Sequence, residues 1–375
     1  MLVAAAFVSL PGILAGQQRY WRTTLYPYVY YSSIDGFWGA GHFTKYSPIG
    51  FVERPEMNYA GVSLDAAAST QGSYLVVADA QAPALWDGWR AGLTLTAARA
   101  NRLGYYGLGN ATLYSADSAT ANQPYFYRVS RTQNSLRATV QRRVVGPVRV
   151  LAGAMLAHTD YRALPGPSQF QRDVGSGAIA PGTVPFSDHV VRAGLIIDNR
   201  DNELDPHRGV FVEGLAARGK GYTRTTGIAR VWLHPVEKFF VAARVGAERL
   251  TGTPPVAVMQ TMETSDQSLV AVGGYRTLRG YYDARFEGPG KLLGGVELRY
   301  ALLWAPRVLE LKVVACYDVG RVFAPGEPVT VTTDGLHKSG GMEVAARLFR
   351  NAIVVVGYGK GSEGGQLLFG TTWSY

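Results

Sequence analysis

The feature that most narrows what this chain can fold into is an alternation of apolar and polar residues at period two, repeated in about sixteen segments from residue 24 to the C-terminus. Successive side chains of a strand point to opposite faces of a sheet, so this period marks strands with two different sides. The last segment shows it most plainly: Leu367, Phe369, Thr371, Trp373 and Tyr375 fall on one face, and Gln366, Leu368, Gly370, Thr372 and Ser374 on the other. In residues 291–303 the same phase places Leu292, Val296, Leu298, Tyr300 and Leu302 outside and Glu297 and Arg299 inside. In residues 309–323 it separates Leu309, Leu311, Val313, Ala315 and Tyr317 from Glu310, Lys312, Cys316 and Asp318. Charges at several inward positions of neighbouring strands do not suit a dry sandwich core, where each needs a partner; they suit a wet lumen.

Candidate strands lie near 24–33, 36–47, 57–69, 72–82, 87–99, 124–143, 147–160, 188–199, 208–219, 226–236, 239–250, 291–303, 309–323, 338–348, 351–361 and 365–375, with 124–143 readable as one long strand or as a hairpin. No segment reaches the roughly 18 uninterrupted apolar residues of a membrane-spanning helix. Strands cross a bilayer only as a closed barrel, because lipid satisfies no edge group, and an even strand number fits that class. The predicted fold is all-β: a closed transmembrane antiparallel β-barrel of about 16 strands over residues 24–375, preceded by an N-terminal segment, residues 1–23. The connections agree. Long ones near 100–123, 161–187 and 251–290 follow odd-numbered strands, while short ones such as 145–147 and 237–238 fall at the other end. Long outer loops and short periplasmic turns are the pattern of such barrels.

The 22 tyrosines, 14 phenylalanines and 7 tryptophans supply amphipathic rings that suit membrane interfaces. Cys316 stands alone and the six histidines do not cluster at ligand spacing, so neither a disulfide nor a metal is expected. The net charge of +9 would suit a polyanionic partner such as lipopolysaccharide or nucleic acid, but the arginines are spread at alternating positions and not gathered in a run or stripe, which favours no such partner. The apolar stretch at residues 2–16, broken by Pro11, resembles the core of a secretory signal without its basic start; a misplaced start or a lumenal segment fits it equally. No nucleophile elbow, paired-histidine zinc motif or phosphate-binding loop is present, and neither an enzymatic activity nor a cofactor is expected.

Between the eleventh and twelfth strands lies "GGYRTLRGYYDARFEGPG", residues 273–290, far longer than a hairpin needs. Its Gly273, Gly274, Leu278, Arg279, Gly280 and Tyr281 resemble the sixth-outer-loop signature of the bacterial surface antigen superfamily of sixteen-stranded outer-membrane barrels, which includes the barrel of the β-barrel assembly machinery and the transporters of two-partner secretion. The resemblance implies that this loop folds back into the lumen and that Arg279 meets an acidic wall residue, within Cys316-Tyr317-Asp318-Val319-Gly320. Asp318 and Gly320 match the family element, and cysteine stands at its phenylalanine position. On chemical grounds a guanidinium fork on a carboxylate is a strong tie for a long loop, and Glu297 is an alternative partner.

A second match is the turn within residues 191–214, where Asp198, Arg200, Asp201, Asn202, Pro206 and Gly209 read as structural turn chemistry. "YYGLGN" at 105–110 also looks like these barrels, and the terminal aromatics Phe369, Trp373 and Tyr375 resemble their C-terminal assembly signal. The resemblance spans about residues 20–375, so none of the periplasmic polypeptide-binding modules that family members carry is expected within these 375 residues. It implies a bacterial outer-membrane location and a part in insertion or translocation of proteins. Its implied partners are outer-membrane lipids and lipopolysaccharide, unfolded outer-membrane or secreted protein clients, and a separate periplasmic partner. Glycines at 361, 364, 365 and 370 are expected to weaken the seam between first and last strands. The alternative is a passive structural barrel, a narrow pore or a membrane anchor.

Overall fold

The computed structural model describes residues 20–32, 34–49, 55–119, 123–270, 272–305, 308–348 and 352–375. The expectation for the apolar stretch at 2–16 therefore lies outside the described residues.

The period-two segments are strands. They are β1 (Arg22–Ser32), β2 (Gly36–Pro48), β3 (Asn58–Ser69), β4 (Tyr74–Trp86), β5 (Trp89–Gly104), β6 (Arg128–Val145), β7 (Val148–Ala163), β8 (Phe186–Asp198), β9 (Gly209–Gly219), β10 (Tyr222–Val236) and β11 (Phe239–Gly252). After a long connection come β14 (Gly290–Ala305), β15 (Leu309–Phe323), β16 (His337–Leu348), β17 (Ala352–Gly361) and β18 (Gly364–Gly370). The connection carries a one-turn helix, Val256–Met259, and a small ribbon of β12 (Thr261–Met262) with β13 (Leu269–Val270). The sixteen long strands form one antiparallel sheet in chain order from β1 to β18, and among the described residues β1 and β18 are not paired with each other. Residues 128–145 make one continuous strand, not a hairpin.

The two faces differ as the alternation requires. On β10, Tyr222, Arg224, Thr226 and Ile228 are buried while the residues between them are exposed, and β15 buries Glu310, Lys312, Val314, Cys316 and Asp318. The other face shows exposed apolar side chains such as Leu195, Leu298, Tyr300, Leu302 and Val344. The buried face turns toward the connection 253–289, whose side chains or backbone meet β6, β8, β9, β10, β14, β15 and β16. The sheet therefore curves around this segment.

Two expectations are corrected. The last strand ends at Gly370 and not at 375, and Trp373 and Tyr375, at 4% and 5% exposed, do not share a face with Phe369, at 66%. Alternation cannot foresee the bend, because contacts distant in sequence produce it. The Tyr275 hydroxyl donates to the Thr372 carbonyl at 2.7 Å, and the Arg299 guanidinium lies 3.8 Å from the Trp373 ring centre. Leu292 has the outward phase yet is only 6% exposed, since phase fixes where a side chain points and not what covers it.

Candidate functional site

The downstream arm of the connection builds a small folded unit. The Gly274 carbonyl accepts from the amides of Thr277 and Leu278, both at 3.1 Å, and the Phe286 amide donates to the Val272 carbonyl at 2.9 Å. Thr277 Oγ1 donates to the Gly273 carbonyl at 2.6 Å. Val272, Leu278, Tyr281 and Phe286 then pack with Val322 of β15 into one apolar cluster. Gly320 makes this approach possible, as a Cβ there would lie 2.7 Å from Val272 Cγ1.

That packing aims Arg279 at the wall. Its Nε and Nη2 donate to the two carboxylate oxygens of Asp318 at 2.7 and 2.8 Å, a bidentate fork. Nη1 reaches Glu297 Oε1 on β14 at 2.6 Å and Glu343 Oε1 on β16 at 3.3 Å. Arg279 is 1% exposed. Burial opposes its charge, but Glu297 and Asp318 outweigh that cost and hold the guanidinium protonated well above its ordinary range. Both acids singled out from the sequence touch Arg279; Glu343, an inward residue of β16, was missed.

The C-terminus completes this seat. The Tyr375 hydroxyl donates to Asp318 Oδ1 at 2.7 Å and accepts from Arg279 Nη2 at 3.0 Å. Arg244 of β11 lies 4.4 Å from the Tyr375 ring centre and donates to the Ser374 carbonyl at 3.0 Å.

The upstream arm has an anchor of the opposite sign. Glu263, 6% exposed, accepts from Arg137 of β6 at 2.8 Å, Arg192 of β8 at 2.6 Å and Arg224 of β10 at 3.1 Å. The Glu263 amide donates to Glu248 Oε2 at 2.8 Å, and Glu248 also receives Lys291 Nζ at 2.6 Å. Thus the wall offers three arginines where the segment brings a glutamate, and three carboxylates where it brings an arginine. Glu263 sits in no motif. The inward arginines of three separate strands were its only sequence signal, since buried cations need a counter-charge from somewhere.

Gly280 rests on the backbone of β17. Its φ is +96°, and a Cβ would lie 2.6 Å from the Lys360 carbonyl carbon and 2.8 Å from the Gly361 amide nitrogen. Gly361 and Gly370, expected to loosen the seam, also leave room for the rings of Tyr281 and Tyr275. Gly280→Ala is expected to unseat the arm, making residues 273–286 cleavable by protease in the refolded protein. Gly364→Ala is the control: φ there is +124° with open space around it, so only the backbone strain of about 1–3 kcal/mol applies.

The turn residues bond mainly within the turn, and Asp198 also accepts from Arg149 of β7 at 3.3 Å. Asn202 Oδ1 accepts from the amides of Leu204 and Asp205, both at 2.9 Å, and Asp201 Oδ1 from those of His207 and Arg208 at 3.0 and 3.2 Å. Arg200 Nε and Nη2 fork onto Asp198, each at 2.9 Å. Pro206 follows in the same turn and Gly209 opens β9. Asp205, His207 and Glu310 have the spacing to hold a cation. The Lys312 ammonium already stands among them, 3.0 Å from Asp205 and Glu310 and 3.1 Å from His207 Nε2. In the 105–110 stretch, the Gly109 amide donates to the Glu287 carbonyl at 2.8 Å, which places the β5–β6 connection against the 253–289 segment.

A family model described as the Omp85 superfamily domain matches residues 62–359. Similar solved structures include BamA from Haemophilus ducreyi lacking POTRA domains 1–3, at TM-score 0.56 and 13% identity, covering 92% of this chain and 69% of that one. Another is CdiB from Escherichia coli, at TM-score 0.57 and 10% identity, covering 93% of this chain and 60% of that one. At such identities the structural likeness establishes the fold alone. No curated protein matches the sequence.

Proposed function

The chain belongs to the Omp85 superfamily, and on that premise we propose that it acts at the bacterial outer membrane, taking part in insertion or translocation of proteins without covalent chemistry. The observation that carries this reading is the free edge of β1. That strand is hydrogen-bonded to β2 alone and β18 to β17 alone among the described residues. Both faces of β1 are open, with Leu25 at 74% and Val29 at 73% exposed on one and a row of Tyr26, Tyr28 and Tyr30 along the other. An unpaired edge offers a row of amides and carbonyls to an incoming extended segment, which gains main-chain hydrogen bonds by adding to the sheet. A client strand docking there would enter the membrane already paired.

The inner segment closes the barrel interior, and its two anchors of opposite sign set how firmly. The outward apolar side chains would face lipid, with lipopolysaccharide above them. A separate periplasmic partner would deliver clients. BamA from Haemophilus ducreyi and CdiB from Escherichia coli are solved structures that share this fold. The test is reconstitution of the refolded chain in liposomes with an unfolded outer-membrane protein. Protease protection of the client above that in empty liposomes is the expected result. Protection no greater than in empty liposomes, by a demonstrably folded barrel, turns the reading toward a passive barrel or anchor.

A further inference from the structure

The downstream arm carries a second arginine, Arg285, that no motif marks and that the seat around Arg279 does not use. It is fully buried, at 0% exposure, yet its partners lie at one end of the sheet, where β17 turns into β18. Nε donates to Glu363 Oε2 at 2.7 Å and Nη2 to Glu363 Oε1 at 2.6 Å, a bidentate fork. Nη1 and Nη2 also donate to the hydroxyl and carbonyl of Thr112, at 2.8 and 2.7 Å. The guanidinium lies 4.6 Å from the Phe286 ring centre and 5.3 Å from that of Tyr106. A pair exposed to water contributes little, but this cation is wholly withdrawn from solvent and depends on its fork.

Glu363 is half of the two-residue turn, Ser362 and Glu363, that joins β17 to β18. The neighbouring contact repeats the theme: the Ser362 amide donates to the Tyr281 hydroxyl at 3.1 Å, and the two hydroxyls are 2.9 Å apart. The last hairpin is thus gripped at its tip from inside, by the same arm that Arg279 holds to β14, β15 and β16.

We propose that Arg285 is a positioning residue for the seam: its fork on Glu363 fixes the tip of the β17–β18 hairpin to the inner segment, so β18 moves away from its resting place only when this pair parts. Arg279 and Arg285 then act as separable fasteners, the first holding the arm to the wall and the second holding the seam strand to the arm. This rests on the reading that the seam is the working part, and its test needs no client.

The test is amide hydrogen exchange on the full refolded chain in lipid bilayers, comparing Arg285→Lys, Glu363→Gln and the double variant with the parent. Lysine keeps the charge but loses the fork. Exchange in residues 364–370 should rise at least about tenfold in either single variant, with residues 274–280 unchanged, and the double variant should exceed neither single. Additive effects, or no rise in 364–370, would overturn the proposal whatever the client assay gives. A rise in exchange without any change in client insertion would uphold the fastener while counting against the seam as the route of insertion.

Discussion

Arg279→Ala is expected to release the arm around residues 273–286 to protease and to cost the folded protein about 3–5 kcal/mol, seen as a lower temperature of unfolding. The size follows from what stays behind. Asp318, Glu297 and Glu343 are 1%, 0% and 2% exposed, and Arg279 is the cation that joins all three. Asp318→Asn should cost less, because Arg279 then keeps Glu297 and Glu343. The ranking is the diagnostic part: an alanine variant no worse than the asparagine one would mean that the arginine is not the hub. Lysine at 279 should fall between, supplying the charge without the planar fork.

Glu263→Ala should be of similar magnitude with inverted charges, since Arg137, Arg192 and Arg224 lose the carboxylate they share. Arg224 keeps Glu248, at 3.0 Å, so the loss falls mainly on the other two. The protease pattern separates the two variants. Loss of Glu263 should expose the upstream stretch 261–270 first, and loss of Arg279 the downstream stretch. Identical cleavage maps would show that the connection moves as one body. Raising salt should affect neither site much, as both lie away from screening ions.

Much of this was readable from residues alone, for a physical reason. In a sheet with one wet or lipid face and one crowded face, phase is forced, so the inward set Glu310, Lys312, Cys316 and Asp318 came from counting by twos. The glycine-rich 273–290 stretch was visible because no hairpin needs it. What alternation could not supply was anything decided by a distant partner. Trp373 and Tyr375 have the same phase whether the strand continues or bends, and the bend is made by Tyr275, Arg244 and Arg299. Glu263 and Arg285 are single charges in irregular chain, and their meaning comes from arginines of three strands and from a turn 78 residues away. Likewise Gly361 and Gly370 read as weak strand formers, while in the fold they are gaps that tyrosines of the inner segment fill.

The most direct measurement is to join β1 to β18 with a reducible cysteine cross-link, in a Cys316→Ala background, and follow client insertion into liposomes. Insertion that stops when the link is formed and returns on reduction is the predicted result, since an occupied edge cannot accept a client strand. Insertion at the same rate through a cross-linked seam would contradict the proposal that the free edge of β1 is where proteins enter the membrane.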